Sequence, residues 1–526
     1  MTNDVDHACP SPSHLAEEPL LFEKPRHDTS GASLPLPGVP EFDPTDELDA
    51  RLLRRDVEAF PTLSEPEVVR HFTRLSQQNF GVDTGLYPLG SCTMKYNPKL
   101  GEAAARLRGF TDLHPLLPDA KCQGALALMW RLERALACLL GFEAVSLAPA
   151  AGAQGELTGM LVVRAAHQAR GERRRLILIP DSAHGTNPAS CTLAGYQIVQ
   201  LKSGPDGLLA PATVAAALDA HGTDVAALMM TNPNTLGLFE TGIREIADLL
   251  HAKGALLYGD GANLNALLGR VRPADLGIDV MHVNLHKTFA APHGGGGPGA
   301  GPIAVTTALA DFLPSPRVVR ERRTEAGSGW TRDDALPETW EDRSDGGTEV
   351  RYRLDADAPQ SIGRVRSFFG NFGVCVRAYA YIAELGARGL REVSGRAVLN
   401  ANYVRAQLCD DFELPCAAQP LHEVVFTDER QKPLGVTTMD IAKALIDRGF
   451  HPPTIYFPLV VQGALMIEPT ETESKETLDA FVAAMKDIAR AAREAPESLR
   501  AAPILAFRER LDETQAARKP VLRWRR

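Results

Sequence analysis

The sequence lacks cysteines at metal-ligand spacing. Its eight cysteines, Cys9, Cys92, Cys122, Cys138, Cys191, Cys375, Cys409 and Cys416, are scattered and none forms a CxxC pair. That argues against a thiolate cage, and no metal is predicted. No apolar run reaches the roughly 18 residues of a transmembrane helix. Basic residues are not in excess: 56 Lys and Arg stand against 66 Asp and Glu, a net charge of −10. This excludes the basic footprint of a nucleic-acid binder. The first residues, MTNDVDHACPSPSHLAEEPL, lack the apolar core of a signal peptide and the Arg-rich, acid-poor character of a mitochondrial presequence. No internal repeat is found. These absences predict a cytoplasmic protein with reduced thiols that binds neither nucleic acid nor membrane.

What is present is an ordinary globular composition. The chain has 526 residues, 44% hydrophobic and 23% charged, enough for a large core and more than one domain. Residues 1–50, rich in Pro, Asp and Glu, read as an extension that wraps a partner. Residues 51–120 read as helices followed by a structured loop, GVDTGLYPLGSCTMKYNPK. Residues 121–314 form the expected large domain. Within it, QGALALMWRLERALACLLG puts Leu128, Leu132, Ala135, Leu136 and Leu139 on one helical face and stops at Gly141. Short apolar strands (144–148, 176–180, 197–201, 225–230, 255–259, 280–285 and 302–306) then alternate with helices (155–169, 211–220 and 242–253). This pattern predicts an α/β fold around a mainly parallel sheet covered on both faces. Residues 315–357 are dense in both charges and read as an exposed insertion. A connecting helical segment (358–395), a smaller C-terminal α/β domain (396–495) and a tail (496–526) complete the chain.

Four motifs sit where strands end. PAAGAQGELTG (149–159) opens a helix with small residues, the setting in which successive backbone N–H groups bind an anion, although a plain tight turn has the same composition. PDSAHGTNPAS (180–190) carries His184, an imidazole able to stack on a flat ring or to serve structurally. YGDGANLNA (258–266) places Asp260 at the carboxyl edge of a strand, facing the crevice of an open sheet or capping a helix. NLHKTFAAPHGGGGPGAGP (284–302) sets Lys287 beside His286 and ahead of a glycine run that lets backbone approach a ligand closely. An anion loop, a stacking group, a carboxylate and an amine, in that order, describe a pyridoxal 5'-phosphate site. The lysine forms the Schiff base, and the aspartate keeps the pyridine nitrogen protonated so that the ring accepts electrons.

Several longer stretches carry a resemblance. GLYPLGSCTMKYNPK, LHPLLPD, GAQGE, SAHGTNPAS, TNPNTLGLFE, DGANLNA, NLHKTFAAPHGGGGPGAGP, SIGRVRSFFGNFGV and IEPTETE make the chain similar, over about residues 50–490, to glycine dehydrogenase (decarboxylating), the P-protein of the glycine cleavage system. More specifically, the chain looks like the second subunit of the two-chain bacterial form. The resemblance implies the fold-type I, aminotransferase-like architecture. It implies glycine as substrate, pyridoxal 5'-phosphate as cofactor and the lipoylated H-protein as acceptor. A single-chain P-protein has a second homologous half that this chain lacks, so a separate subunit 1 is implied, in an α2β2 assembly. By the resemblance Lys287 bonds the cofactor, Asp260 pairs with the pyridine nitrogen, and His184 and Ala262 cover the two ring faces. Gly152, Ala153 and Gln154 lie at the phosphate. His286 and Thr231 are weaker neighbours of the cofactor, with His184 or His286 as proton carriers. Thr93, Lys95 and His114 are expected at the glycine and lipoyl entrance. Two other readings stay open: another fold-type I enzyme, such as an amino-acid decarboxylase or desulfurase, and a non-catalytic partner subunit.

Overall fold

The computed structural model describes residues 17–24, 38–40, 42–54, 60–294, 299–324, 329–333 and 349–523. Much of the expected extension over 1–50, the middle of the glycine run, parts of 315–357 and the last three residues lie outside them.

Helix α1 (Glu65–Gln77) starts at Ser64 and carries His71 and Arg74, which hold Glu18 of the described amino-terminal stretch. The expected long helix is α2 (Gln123–Leu140), closed by Gly141 at φ 82°. There the absent Cβ makes the left-handed turn inexpensive. The strands then follow: β1 (Ala144–Ser146), β2 (Leu176–Pro180), β3 (Gln197–Leu201), β4 (Val225–Thr231), β5 (Leu256–Gly261), β6 (Val280–Val283) and β7 (Ile303–Val305). Between them lie α3 (Gly152–Ala169), α4 (Thr186–Leu193), α5 (Pro211–His221) and α6 (Ile243–Ala252).

These strands form one sheet in the order β1-β7-β6-β5-β4-β2-β3. Strands β2 to β6 run parallel, whereas β7 is antiparallel to both β6 and β1. The alternation of side chains along each strand explains the two layers of core. Leu178, Leu228, Met230 and Leu257 face one side, with α2, α5 and α6. Ile177, Ile179, Ala227, Met229 and Tyr258 face the other, with α3 and α4. Both faces are therefore covered, as a parallel sheet requires.

Residues 315–357 do more than the expected exposed insertion. Strands β8 (Arg317–Arg323), β9 (Trp330–Arg332) and β10 (Val350–Asp355) make an antiparallel sheet in the order β10-β8-β9. Its charges pair across strands, with the carboxylate of Glu321 buried and its arginine partners partly exposed. Glu321 accepts from Arg351 and Arg353, each at 2.7 Å. Arg320 binds Asp333 at 2.7 Å and lies over the Trp130 ring of α2.

Helix α7 (Phe372–Leu408), broken at Gly386, leads into a second core. This core gathers Val404, Leu408 and Phe412, strands β11 (Val424–Thr427) and β13 (Ala464–Ile467), and helices α8 (Thr438–Asp447) and α9 (Lys475–Glu494). It continues past the expected boundary at 495, since Leu499 and Ala502 are buried in it. The short β12 (Thr454–Ile455) completes a three-stranded sheet with β13 at its centre. Among the described residues, no helix is long and apolar enough to cross a membrane, and the seven cysteines are free.

Candidate active site

A cavity of about 180 Å³ opens where the parallel strands end. Gly152 and Ala153 of α3, Thr231 at the end of β4, and Asp260 and Ala262 at the end of β5 line it. His184, His286 and Lys287 complete the expected group. Residues spread over more than a hundred positions thus meet because successive crossovers return each strand end to the same edge.

The start of α3 sits tightly against the sheet. A Cβ on Gly155 would lie 2.6 Å from the Gly301 carbonyl oxygen, and one on Gly301 would lie 2.1 Å from that of Ala151. No side chain caps the first turn, so its N–H groups are free to meet an anion. A Cβ on Gly152 would come 2.4 Å from Asn284 Oδ1, a buried oxygen without a hydrogen-bond partner.

Asp260 is buried. Its Oδ2 accepts from Thr231 Oγ1 at 3.0 Å and Asn187 Nδ2 at 3.1 Å, and its Oδ1 accepts from the Ala262 amide at 2.9 Å. His282 Nε2 lies 3.3 Å from Oδ1, while its Nδ1 meets Tyr258 OH at 2.7 Å. Burial pushes the Asp260 carboxyl up. The His282 ring, the Ala262 amide, Lys287 and Asn187 outweigh it and hold the group below the usual range. Asp260 therefore keeps its negative charge in a dry setting.

Lys287 follows β6 in a turn, and its Nζ donates to the Ser91 carbonyl at 2.8 Å. His286 beside it is pushed down to about 3 by burial, then by His293 and Lys287. It is a neutral imidazole with too little proton affinity to act as a base near neutrality. The glycine run approaches it closely, because a Cβ on Gly299 would lie 1.9 Å from His286 Nδ1. His184 is exposed at the cavity. Its Nδ1 accepts from the Thr186 amide at 3.2 Å, and its ring meets Phe457 edge-on at 5.4 Å.

Four expected residues do not line the cavity. The Gln154 side chain accepts from the Ala150 amide and donates to the Val365 carbonyl, each at 2.6 Å, so it ties loops together. Lys95 is buried in a polar knot with Glu471 at 2.6 Å, Asn265 at 2.8 Å and Tyr381 at 3.2 Å. The Thr93 amide donates to Glu468 at 2.9 Å. His114 lies on an exposed loop and accepts from the Leu116 amide at 3.1 Å.

Ser91, Glu156, Thr186, Thr235, Asn263 and Asn284 line the cavity without having been singled out. Thr186 and Asn187 lie inside the motif that supplied His184. Small polar residues within a strand-end motif were the available signal.

Comparison with known proteins gives a consistent picture. The family described as "Glycine dehydrogenase, C-terminal domain" matches residues 393–502, and "Aminotransferase class-V" matches residues 158–297. A probable glycine dehydrogenase (decarboxylating) subunit 2 of Bacillus licheniformis is 50% identical over 97% of this chain and 99% of its own length. A protein of the same name from Desulforamulus reducens is 51% identical over 96% of this chain and 99% of its own. Among solved structures, glycine decarboxylase (P-protein) of the glycine cleavage system, in inhibitor-bound form, aligns with a TM-score of 0.68. It is 22% identical, over 84% of this chain and 94% of that one. A Burkholderia pseudomallei sphingosine-1-phosphate lyase aligns at a TM-score of 0.57 and 14% identity, over 87% of this chain and 97% of that one. These two structures speak for the fold alone.

Proposed function

Because this chain belongs to the family of glycine dehydrogenase (decarboxylating) subunit 2, we propose that the strand-end cavity is where it decarboxylates glycine, with pyridoxal 5'-phosphate bound there. The chain is a glycine dehydrogenase (decarboxylating) of the glycine cleavage system, with the fold of the fold-type I enzymes. We further propose the lipoyl arm of the H-protein as acceptor and a subunit 1 as partner in an α2β2 assembly. In the balanced reaction the C–C bond to the glycine carboxylate breaks and CO2 leaves. The remaining carbon forms a C–S bond as the lipoyl S–S bond breaks, and the second sulfur takes a proton. The disulfide is reduced and the glycine carbon is oxidised.

The residues present fit the cofactor. The uncapped first turn of α3 at Gly152 and Ala153 would hold its phosphate. Asp260, ionised and buried, would hold the proton on the ring nitrogen. Lys287 would bond the aldehyde, and His184 and Ala262 would line the ring. When bound, the cofactor supplies an aldehyde for the amine and a conjugated ring that takes up the electron pair left by departing CO2. Lys287 supplies the nucleophilic nitrogen, and Ser91 orients that nitrogen through its carbonyl. His286 and the glycine backbone against it close one wall to water.

The observation that carries this reading is the convergence of Lys287, Asp260 and the uncapped α3 terminus on one cavity. The test is a visible absorption spectrum of the purified chain with added pyridoxal 5'-phosphate, before and after glycine, with and without subunit 1. The lysine-bound cofactor band is expected in the wild type, perturbed by glycine, and absent from Lys287→Ala. A Lys287→Ala chain that kept normal glycine turnover would overturn the assignment.

A further inference from the structure

Behind Lys287 lies a polar cluster that the proposed reaction leaves unused. His422, Glu423 and Glu468 are each 0% exposed. One imidazole nitrogen and one oxygen from each carboxylate lie within 4.8 Å of one another. Both ring nitrogens of His422 and Oε1 of Glu468 are buried without a hydrogen-bond partner. Two buried carboxylates this close cannot both stay charged without a compensating group.

One oxygen of each carboxylate is committed to one loop, while Glu423 Oε1 accepts from Asn263 Nδ2 at 3.5 Å. Glu423 Oε2 accepts from the Ser91 amide at 2.8 Å, and Glu468 Oε2 accepts from the Thr93 amide at 2.9 Å. Ser91 and Thr93 both have positive φ, 64° and 46°. A non-glycine residue stays in that region only when its surroundings hold it there. Ser91 thus links the two sites, its amide donating to Glu423 and its carbonyl accepting from Lys287 Nζ at 2.8 Å. The loop is further pinned to the small sheet, where the Gly90 amide donates to the Met466 carbonyl and Thr454 Oγ1 donates to that of Gly90.

We propose that Glu423 and Glu468 hold a single proton between them and act as positioning residues for Lys287, fixing the Ser91 carbonyl against its amine through the backbone of residues 91–93. The inference rests on Lys287 as the reactive amine. One proton leaves the pair with a single negative charge facing Lys287. The other groups facing the pair do not upset this balance. His422 stays neutral because burial lowers its proton affinity. Cys92 keeps its thiol proton because burial raises its pKa. Glu471 is paired with Lys95. Burial likewise raises Glu468, to about 7, and raises Glu423. The Ser91 carbonyl, an acceptor with no proton of its own, gives the lysine nitrogen a fixed partner.

The test uses the full chain without cofactor or glycine, so that its failure is separate from any failure of the cofactor reading. Infrared difference spectra near neutral pH are compared for wild type, Glu423→Gln, Glu468→Gln and the double variant. A protonated-carboxyl band is expected in the wild type and is lost by each single variant, with no further loss in the double. Absence of the band, its survival in either single variant, or a doubled loss in the double variant would overturn the shared proton. So would a stoichiometric metal ion in the isolated chain. Hydrogen exchange of the loop peptide tests the positioning. Protection of Ser91 and Thr93 should persist in the Gln variants and fall about tenfold or more in Glu423→Leu and Glu468→Leu. Unchanged protection in the folded Leu variants would overturn that half. If those variants do not fold, the Gln spectra still decide the proton.

Discussion

Asp260 illustrates what one residue can carry. Its charge is retained in a buried setting by the His282 ring, the Ala262 amide, Lys287 and Asn187. Asp260→Asn keeps the shape and removes the charge. We expect glycine turnover to fall on the order of 10²-fold or more, about 2.7 kcal/mol of transition-state stabilisation, with the fold intact by circular dichroism. Turnover within twofold of wild type would refute the role. Gly152→Ala is a steric counterpart: its Cβ would meet Asn284 Oδ1 at 2.4 Å. Weaker cofactor binding with little change in unfolding midpoint is expected from equilibrium titration. That Lys287, Asp260 and His184 meet at one cavity was legible because each stands at a strand end within a short motif. Glu423 and Glu468 were not, because their partners Ser91 and Thr93 lie 332 and 375 residues away. Lys95 shows the reverse case, in which a conspicuous motif serves a buried polar knot outside the cavity.

At the scale of elements, hydrophobic periodicity located α2, the parallel strands and most of the small domain. It failed at β8 to β10 because those strands satisfy their charges by pairing across the sheet, so alternation of aliphatic residues is weak there. This sheet leans on α2. Gln123 of α2 bonds both the amide and the carbonyl of Tyr352, and Trp130 is buried beneath Arg320. Trp130→Ala should cost about 3–5 kcal/mol and release hydrogen-exchange protection over 317–323 and 350–355. Full protection there would show that the sheet stands without α2. Helix α8 offers a smaller effect. Thr437 and Asp440 form a reciprocal cap, with the Thr437 amide donating to Asp440 at 2.8 Å. Thr437→Ala should lower stability by about 1 kcal/mol in chemical denaturation.

For the whole molecule, buried histidines set the response to acid. Burial, aided by nearby positive groups, pushes His286 and His422 down to about 3 and His293 to about 4. His167 and His451 are lowered as well. Unfolding restores ordinary proton affinity. Below about pH 6.5 the unfolded chain therefore binds more protons, and stability falls as pH falls. Glu240, Glu423, Glu468 and Glu473, raised by burial, act oppositely, since their stabilising protonation is lost as pH rises above the ordinary carboxylate range. The histidines outnumber them, so the urea midpoint at pH 5 should lie below that at pH 7. A higher midpoint at pH 5 would contradict this account. The loop that meets Lys287 has a consequence for biosynthesis. Leu89 pairs with Ile467, and the Gly90 amide needs the Met466 carbonyl. On the ribosome the loop is made early and its anchor very late. A nascent chain that already contains Lys287 thus has no Ser91 carbonyl held against the amine until nearly the whole polypeptide has emerged. The order of synthesis makes completion of the small domain the step that fixes the loop against Lys287.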